Sequence, residues 1–263
     1  MAIEVFGVKL GIRVNTPEVL EEITAFLPPG WQAIPDSAPV VDHLFSLIMG
    51  GPALRRGGRP YNILYSGSWR AVRSLKRDEA LDGLARLIDV QVALQAPRHV
   101  FVHAGVVAWQ GRGLLIPGRS RSGKTTLVKA LVDAGAVYYS DEYAALDEAG
   151  RVLPWSRPLN IRQTHNGPGT PTAIEDIGGK AGTVPLPVGW IIDTAYKPEA
   201  EWQPEILSPV QSALCLLDNT LIARIEPRRA LPILRMAAMG GLGLRSPRGE
   251  AKTMADPLLS HLY

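Results

Sequence analysis

Gly118-Arg119-Ser120-Arg121-Ser122-Gly123-Lys124-Thr125 is the stretch whose reading decides the fold. It matches the eight positions of a phosphate-binding loop, Gly-x-x-x-x-Gly-Lys-Ser/Thr. Leu114 to Pro117, just upstream, reads as a strand, and Thr126-Leu127-Val128-Lys129-Ala130-Leu131-Val132, just downstream, reads as a helix. A chance match somewhere in such a chain is on the order of one in a hundred. A bland Gly-Ser surface turn would require neither the strand nor the helix. The local order strand, glycine loop, helix is that of an α/β nucleotide-binding unit.

Physical chemistry explains the spacing. Glycines let the backbone curl so that successive amides point at phosphate oxygens, and the helix N-terminus adds its partial positive charge. The Lys124 ammonium bridges the outer phosphates, and the Thr125 hydroxyl stands where a magnesium ion would be held. Gly118, Arg119, Ser120, Arg121, Ser122, Gly123, Lys124, Thr125 and Thr126 are therefore the expected nucleotide cradle, with ATP and Mg²⁺ as expected ligands.

Moving outward, Ala136 to Ser140 reads as a strand that ends in Asp141-Glu142. A chain turning at a strand's end can bring adjacent carboxylates to one place, although strand neighbours otherwise face opposite ways. One acid would hold metal with Thr125, for which Asp141 is the candidate, and Glu142 would take a proton from an attacking hydroxyl. Read alone, the pair is a solvated turn before Tyr143. His103 lies in the preceding apolar run, Val100 to Trp109, where a histidine is by itself a core residue. No Gly-x-Ser-x-Gly elbow of a serine hydrolase occurs.

The rest of the chain sets the frame. Its 263 residues, 46% hydrophobic and 20% charged, suit one large domain or a domain with a smaller appendage and exclude disorder. The change of texture near Pro97 separates a small α+β unit over residues 1–96 from the loop-bearing domain over residues 97–263. In the first, Ile3 to Val14 reads as a strand pair with Gly7 and Gly11 at a turn or bulge. Thr16 is the expected cap of a helix running to Leu27, Leu44 to Met49 and Tyr61 to Tyr65 read as strands, and Asp78 to Leu94 as a helix. In the second, Val188 to Asp193 reads as a strand. Pro209 to Asn219 reads as a helix with Leu214 and Leu217 inward, and Arg228 to Met239 as another helix. The Gly/Pro-rich stretch from Asn160 to Pro187 reads as a loop beside the site, a lid over nucleotide or acceptor. Arg157 before it and Arg162 near its start are within reach of phosphate oxygens or simply solvated.

Lys and Arg number 28 against 25 Asp and Glu, a formal charge of +3, and the cations are scattered. With aromatics at 6%, that excludes a nucleic-acid surface. The single Cys215 forms no internal disulfide, which points to a reducing cytoplasm. Neither a signal peptide nor a membrane span is expected.

The block His103-Ala104-Gly105, the loop with Lys124-Thr125, and Tyr139-Ser140-Asp141-Glu142 together resemble the core of the HPr serine kinase/phosphatase family, related in fold to phosphoenolpyruvate carboxykinases. The resemblance covers about residues 100 to 162. It implies an α/β domain with a P-loop and a mixed sheet flanked by helices. It also implies that Lys124 and Thr125 bind phosphates and magnesium, that Asp141 and Glu142 serve metal and catalysis, and that His103 lies near the transferred phosphate. Glu142 stands where that family carries Asp, and the stretch after Arg162 holds no copy of its carrier-protein docking signature. The expected activity is thus a magnesium-dependent kinase acting on a hydroxyl of a peptide, a protein or a small alcohol, in an assembly that would be a homo-oligomer. The competing expectations are a nucleotide-binding regulatory or scaffold protein without transfer, and a phosphatase or ATPase using the same atoms.

Overall fold

A computed structural model describes residues 1–35, 40–50, 59–119, 122–162 and 169–262. The chain forms two compact units, Met1–Arg98 and His99–Tyr263.

In the first unit, β1 (Ala2–Val5) and β2 (Val8–Val14) form a hairpin in which Val5 pairs with Val8. Phe6 and Gly7 fill its two-residue turn with φ of 51° and 78°, the doubly left-handed geometry that matches strand twist. After α1 (Val19–Thr24), β3 (Gln32–Ile34) pairs with β1, and β4 (His43–Ile48) runs parallel to β2. β5 (Asn62–Ser66) and β6 (Trp69–Ser74) complete a sheet of order β3-β1-β2-β4-β5-β6. The helix α2 (Arg77–Gln95) buries Ala80, Leu84, Ile88 and Val92, one stripe at helical spacing.

Two local expectations for this unit fail. Gly11 is neither turn nor bulge but mid-strand in β2, where an added Cβ would lie 2.9 Å from Leu44 on β4. Thr16 does not cap α1: its carbonyl, not its hydroxyl, accepts from the Val19 amide at 3.1 Å, and the capping position is Glu18. The helix is also shorter than expected, stopping at Thr24 as the next amides bond three residues back, before Pro28.

The second unit opens with β7 (Val100–Trp109) and β8 (Arg112–Pro117), an antiparallel pair, and then α3 (Lys124–Asp133). β9 (Val137–Ser140) and β10 (Tyr143–Leu146) both run antiparallel to β7, one after the other along its length. β11 (Val152–Leu153) lies beyond β10, and β12 (Leu159–Arg162) with β13 (Gly169–Thr172) forms a separate antiparallel pair. β14 (Val188–Asp193), β15 (Glu205–Leu207), α4 (Pro209–Asp218), α5 (Pro227–Gly240), β16 (Leu242–Arg245) and α6 (Ala251–His261) follow. The sheet order is β11-β10-β7-β8-β14-β16-β15, with β9 also on β7. β8, β14 and β16 are mutually parallel and β15 is antiparallel to β16. This is an α/β fold with a mixed sheet.

Alternation along the strands builds two cores. Val107, Leu114, Ile116, Trp190 and Ile192 pack with α3 and α6, whereas Val106, Leu115 and Ile191 pack with α4 and α5. His103 and Gly105 share the parity of Val107 and so belong to the α3 face. Ser208 and Gln211 form a capping box at the start of α4. Leu214 is not inward as expected but 52% exposed, because Ser212, Cys215 and Leu216 form the face turned to the sheet. The described part of the Asn160–Pro187 stretch is built structure rather than bare loop: it holds β12, β13, a 3-10 turn and the core residue Ile174. Its Gly179 and Gly182 are sites of close approach, where an added Cβ would sit 2.7 Å from Ile174 and 2.0 Å from the Tyr139 ring.

Gly105 fixes how closely α3 approaches β7, since a Cβ there would lie 2.6 Å from Val128. Gly105→Ala is therefore expected to destabilise the protein by about 1–2 kcal/mol, overpacking outweighing the entropic gain of Gly→Ala. A urea midpoint equal to or above the parent's would refute that close packing.

Candidate active site

The phosphate loop begins where β8 ends. Gly118 has no room for a side chain, since a Cβ would meet Ser122 Oγ at 2.9 Å. Gly123 precedes α3 with φ of 83°, a left-handed conformation that admits glycine without strain. Ser120 and Arg121 lie outside the described residues. Arg119 and Thr126 are exposed, whereas Lys124, the first residue of α3, is only 7% exposed. Its ammonium donates to the carbonyls of Gly118 at 2.8 Å and Arg119 at 2.9 Å. Burial lowers its pKa to about 8, opposed by the nearby carboxylates of Glu142 and Asp141.

The acids stand in the break between β9 and β10. Ser140, buried at the end of β9, accepts through its hydroxyl from the amides of Glu142 at 3.2 Å and Tyr143 at 3.0 Å. That side-chain turn lets both acids reach the loop, as an unbroken strand would not. Asp141 is buried and accepts from Thr125 Oγ1 at 2.9 Å and from the Tyr138 hydroxyl at 3.2 Å. Desolvation raises its pKa and the Thr125 hydrogen bond opposes the rise. Burial likewise pushes the Tyr138 hydroxyl far up, which keeps it a donor.

His103 Nδ1 lies 2.7 Å from the Gly118 carbonyl, so that nitrogen carries a proton and donates it. Its 3.5 Å separation from Lys124 Nζ is then a contact between two donors rather than a hydrogen bond. Nε2 is left facing Glu142 Oε1 at 3.3 Å. The Tyr143 ring meets the imidazole edge to face at 5.8 Å. Glu142 is 52% exposed, so its carboxylate also reaches solvent.

The structure therefore brings Gly118, Lys124, Thr125, Asp141, Glu142 and His103 to one edge of the sheet. No family model matches this chain, and no curated protein does. The Arg157 carbonyl lies 2.8 Å from the Tyr138 hydroxyl and shares its one proton with Asp141, and the Arg157 guanidinium lies over the Trp155 ring at 5.7 Å. His43 is hydrogen-bonded to Ser66 in the first unit, and His165 lies outside the described residues.

Sequence reasoning missed two residues here. Tyr138 occurs three positions before Asp141, and nothing in its type announces that its hydroxyl serves the acid. Arg248 follows β16 and is 3% exposed, yet its guanidinium donates to the Gly123 carbonyl at 3.0 Å. Its signal was available: a cation and a glycine, Arg248-Gly249, between an apolar strand and a helix.

Among the described residues no three His, Cys, Asp or Glu side chains cluster as a metal cage. Magnesium is commonly held by one or two carboxylates with substrate phosphates supplying the rest. Thr125 Oγ1 and Asp141 Oδ2, 2.9 Å apart, are spaced like adjacent corners of an octahedron with about 2.1 Å bonds. A buried carboxylate beside a hydroxyl fits that ion. No helix among the described residues is long and apolar enough to cross a membrane.

Proposed function

We propose that the His99–Tyr263 unit is a kinase of the HPr serine kinase-like kind, with a P-loop arrangement related to phosphoenolpyruvate carboxykinases. It binds ATP with magnesium and transfers the γ-phosphate to a hydroxyl of a peptide, a protein or a small alcohol. The observation carrying this reading is the convergence of the Lys124 ammonium, the Thr125–Asp141 oxygens and the His103–Glu142 pair on one glycine loop.

Each group has one task. Loop amides and Lys124 hold the phosphates; on binding, Lys124 exchanges the Gly118 and Arg119 carbonyls for phosphate oxygens. Thr125 and Asp141 would hold magnesium, which supplies charge neutralisation at the phosphates. The acceptor hydroxyl oxygen forms a bond to the γ-phosphorus as the bond from that phosphorus to the bridging oxygen breaks and ADP leaves. Glu142 accepts the hydroxyl proton, and His103 orients its carboxylate. The exposure of Glu142 favours a second reading of the same atoms, with water as acceptor and hydrolysis as the outcome.

Labelled ATP, magnesium and candidate acceptors test both. Label appearing on a peptide or an alcohol supports the kinase. Free phosphate released at the same rate with and without acceptor supports the hydrolase. ATP bound with neither product identifies a nucleotide-binding regulatory protein.

Asp141→Asn keeps the shape but removes the charge and one of the two acceptor oxygens, so one of the Thr125 and Tyr138 hydrogen bonds must reverse or be lost. The magnesium concentration for half-maximal turnover is expected to rise about tenfold or more, the scale of one charge-assisted contact. The melting temperature should stay within a few degrees of the parent's, the relief of a desolvated charge offsetting the altered hydrogen bond. An unchanged magnesium requirement would dismiss Asp141 as the metal holder.

A further inference from the structure

The helices α4 and α5 lie side by side on the sheet face that carries Val106, Leu115 and Ile191. Cys215 and Leu216 of α4, and Ala230, Ile233, Leu234, Ala237 and Ala238 of α5, are buried against it. Helices that cover a sheet normally turn a polar side to water. These two do not. On α4, Val210 is 69% exposed and Leu214, one turn on, is exposed as well. On α5, Arg228, Leu231, Arg235 and Met239 fall at i, i+3, i+7 and i+11, a single stripe in which cations alternate with apolar side chains, and Met239 is 60% exposed. Ile225, in the corner between the helices, is exposed too. Large apolar side chains gathered on one side of one helix pair mark a surface that takes a partner.

Charge selects the kind of partner. Arg224, Arg228 and Arg235 are exposed, and among the described residues no carboxylate forms an ion pair with them. The stretch from Pro209 to Gly240 holds two acids, of which Glu226 is engaged by Arg229 at 3.3 Å, so Asp218 alone is left to offset the three cations. The surface is therefore apolar with a positive surplus. A second copy of this chain is a poor occupant, because a twofold contact would set that surplus against itself. An anionic bilayer would also meet the arginines, but helices that lie in a membrane interface commonly use lysines and aromatic rings, and Pro209 to Gly240 contains neither.

We propose that the outward face of α4 and α5 is a docking site for an acidic amphipathic helix of a partner protein. Its apolar stripe covers Leu214, Leu231 and Met239, and its carboxylates meet Arg228 and Arg235. These two arginines are seven residues apart, about 10.5 Å along α5. A third helix packed at the shallow angle of a helical bundle repeats its own face at the same seven-residue interval, so acids spaced by seven match both cations. The two methylenes and the thioether of Met239 adapt to a range of apolar partners. This site goes beyond nucleotide binding and does not depend on it, since α3 and the core beneath it occupy the opposite face of the sheet.

Fluorescence anisotropy with two labelled three-heptad peptides tests the site. Both carry Leu at positions a and d, one with Glu and the other with Lys at e and g. The parent is expected to bind the Glu peptide about tenfold more tightly than the Lys peptide, a preference that shrinks as salt rises. Leu231→Glu combined with Met239→Glu, both at exposed positions, should weaken the Glu peptide by about tenfold while the melting temperature holds. Arg228→Glu combined with Arg235→Glu should reverse the preference in favour of the Lys peptide, which a disordered hairpin could not do. Both peptides bound equally, or neither bound, would overturn the docking site. So would a parent dimer in sedimentation that Leu231→Glu makes monomeric, which would give the face to a second copy. Binding to phosphatidylserine vesicles without binding to the Glu peptide would give it to a bilayer and overturn the proposal as well.

Discussion

Glu142→Gln is expected to lower the rate of phosphate transfer by about 10²–10⁴-fold while ATP affinity stays within about threefold, the signature of a lost general base. Gln keeps the side-chain length and one carbonyl oxygen but cannot accept a proton from the acceptor hydroxyl. Glu142 is 52% exposed, so the substitution neither empties a core position nor leaves a buried charge. His103 faces the same carboxylate at 3.3 Å, and the two act as a unit. Adding His103→Gln to Glu142→Gln should then cost much less than the product of the two single losses. Single-turnover measurement with saturating ATP reads the chemical step directly. Undiminished transfer in Glu142→Gln would remove Glu142 as the base and return the Asp141-Glu142 pair to metal binding and loop structure.

The sequence carried those parts of the fold that depend on local pattern. Apolar stripes at helical spacing placed α2 and α5, and the glycine loop between an apolar run and a helix announced β8 and α3. Failures came where tertiary contact overrides local preference. Gly11 and Gly179 look like punctuation in the sequence, but each is small because Leu44 or Val132 comes close from a distant segment. Leu214 reads as inward from its type, whereas the packing of α4 turns Cys215 and Leu216 to the sheet. β15, β16 and α6 were not foreseen, and with them went the contact of Arg248 with the Gly123 carbonyl.

The site divides along the same line. The loop, Lys124 and the two acids share a short stretch of chain, so their spacing encodes their chemistry. Asp141 and Glu142 reach the loop together because β9 and β10 lie end to end along β7 with the acids in the break, a consequence of pairing rather than composition. Tyr138 and Arg248 contribute through one hydroxyl and one guanidinium aimed at backbone or carboxylate oxygens, and no local pattern specifies such an aim.

Lys124→Ala should weaken ATP binding by about a hundredfold, from the loss of roughly 3 kcal/mol of charge-assisted hydrogen bonding in a sheltered place. In the unliganded protein Lys124 is 7% exposed and its ammonium is satisfied by the carbonyls of Gly118 and Arg119. Those two oxygens lose their donor in the variant, but they sit at a surface loop where water can replace it, so a large loss of stability is not expected. Lys124→Arg should fail nearly as badly, because a planar five-donor fork does not occupy the narrow slot of a compact ammonium. Tripolyphosphate should lose affinity along with ATP, because the lysine meets only the phosphates. Titration with both ligands, together with a melting curve for each variant, separates loss of contact from loss of fold. ATP bound at parental affinity by a folded Lys124→Ala protein would mean that the glycine curl before α3 closes a turn and cradles no phosphate.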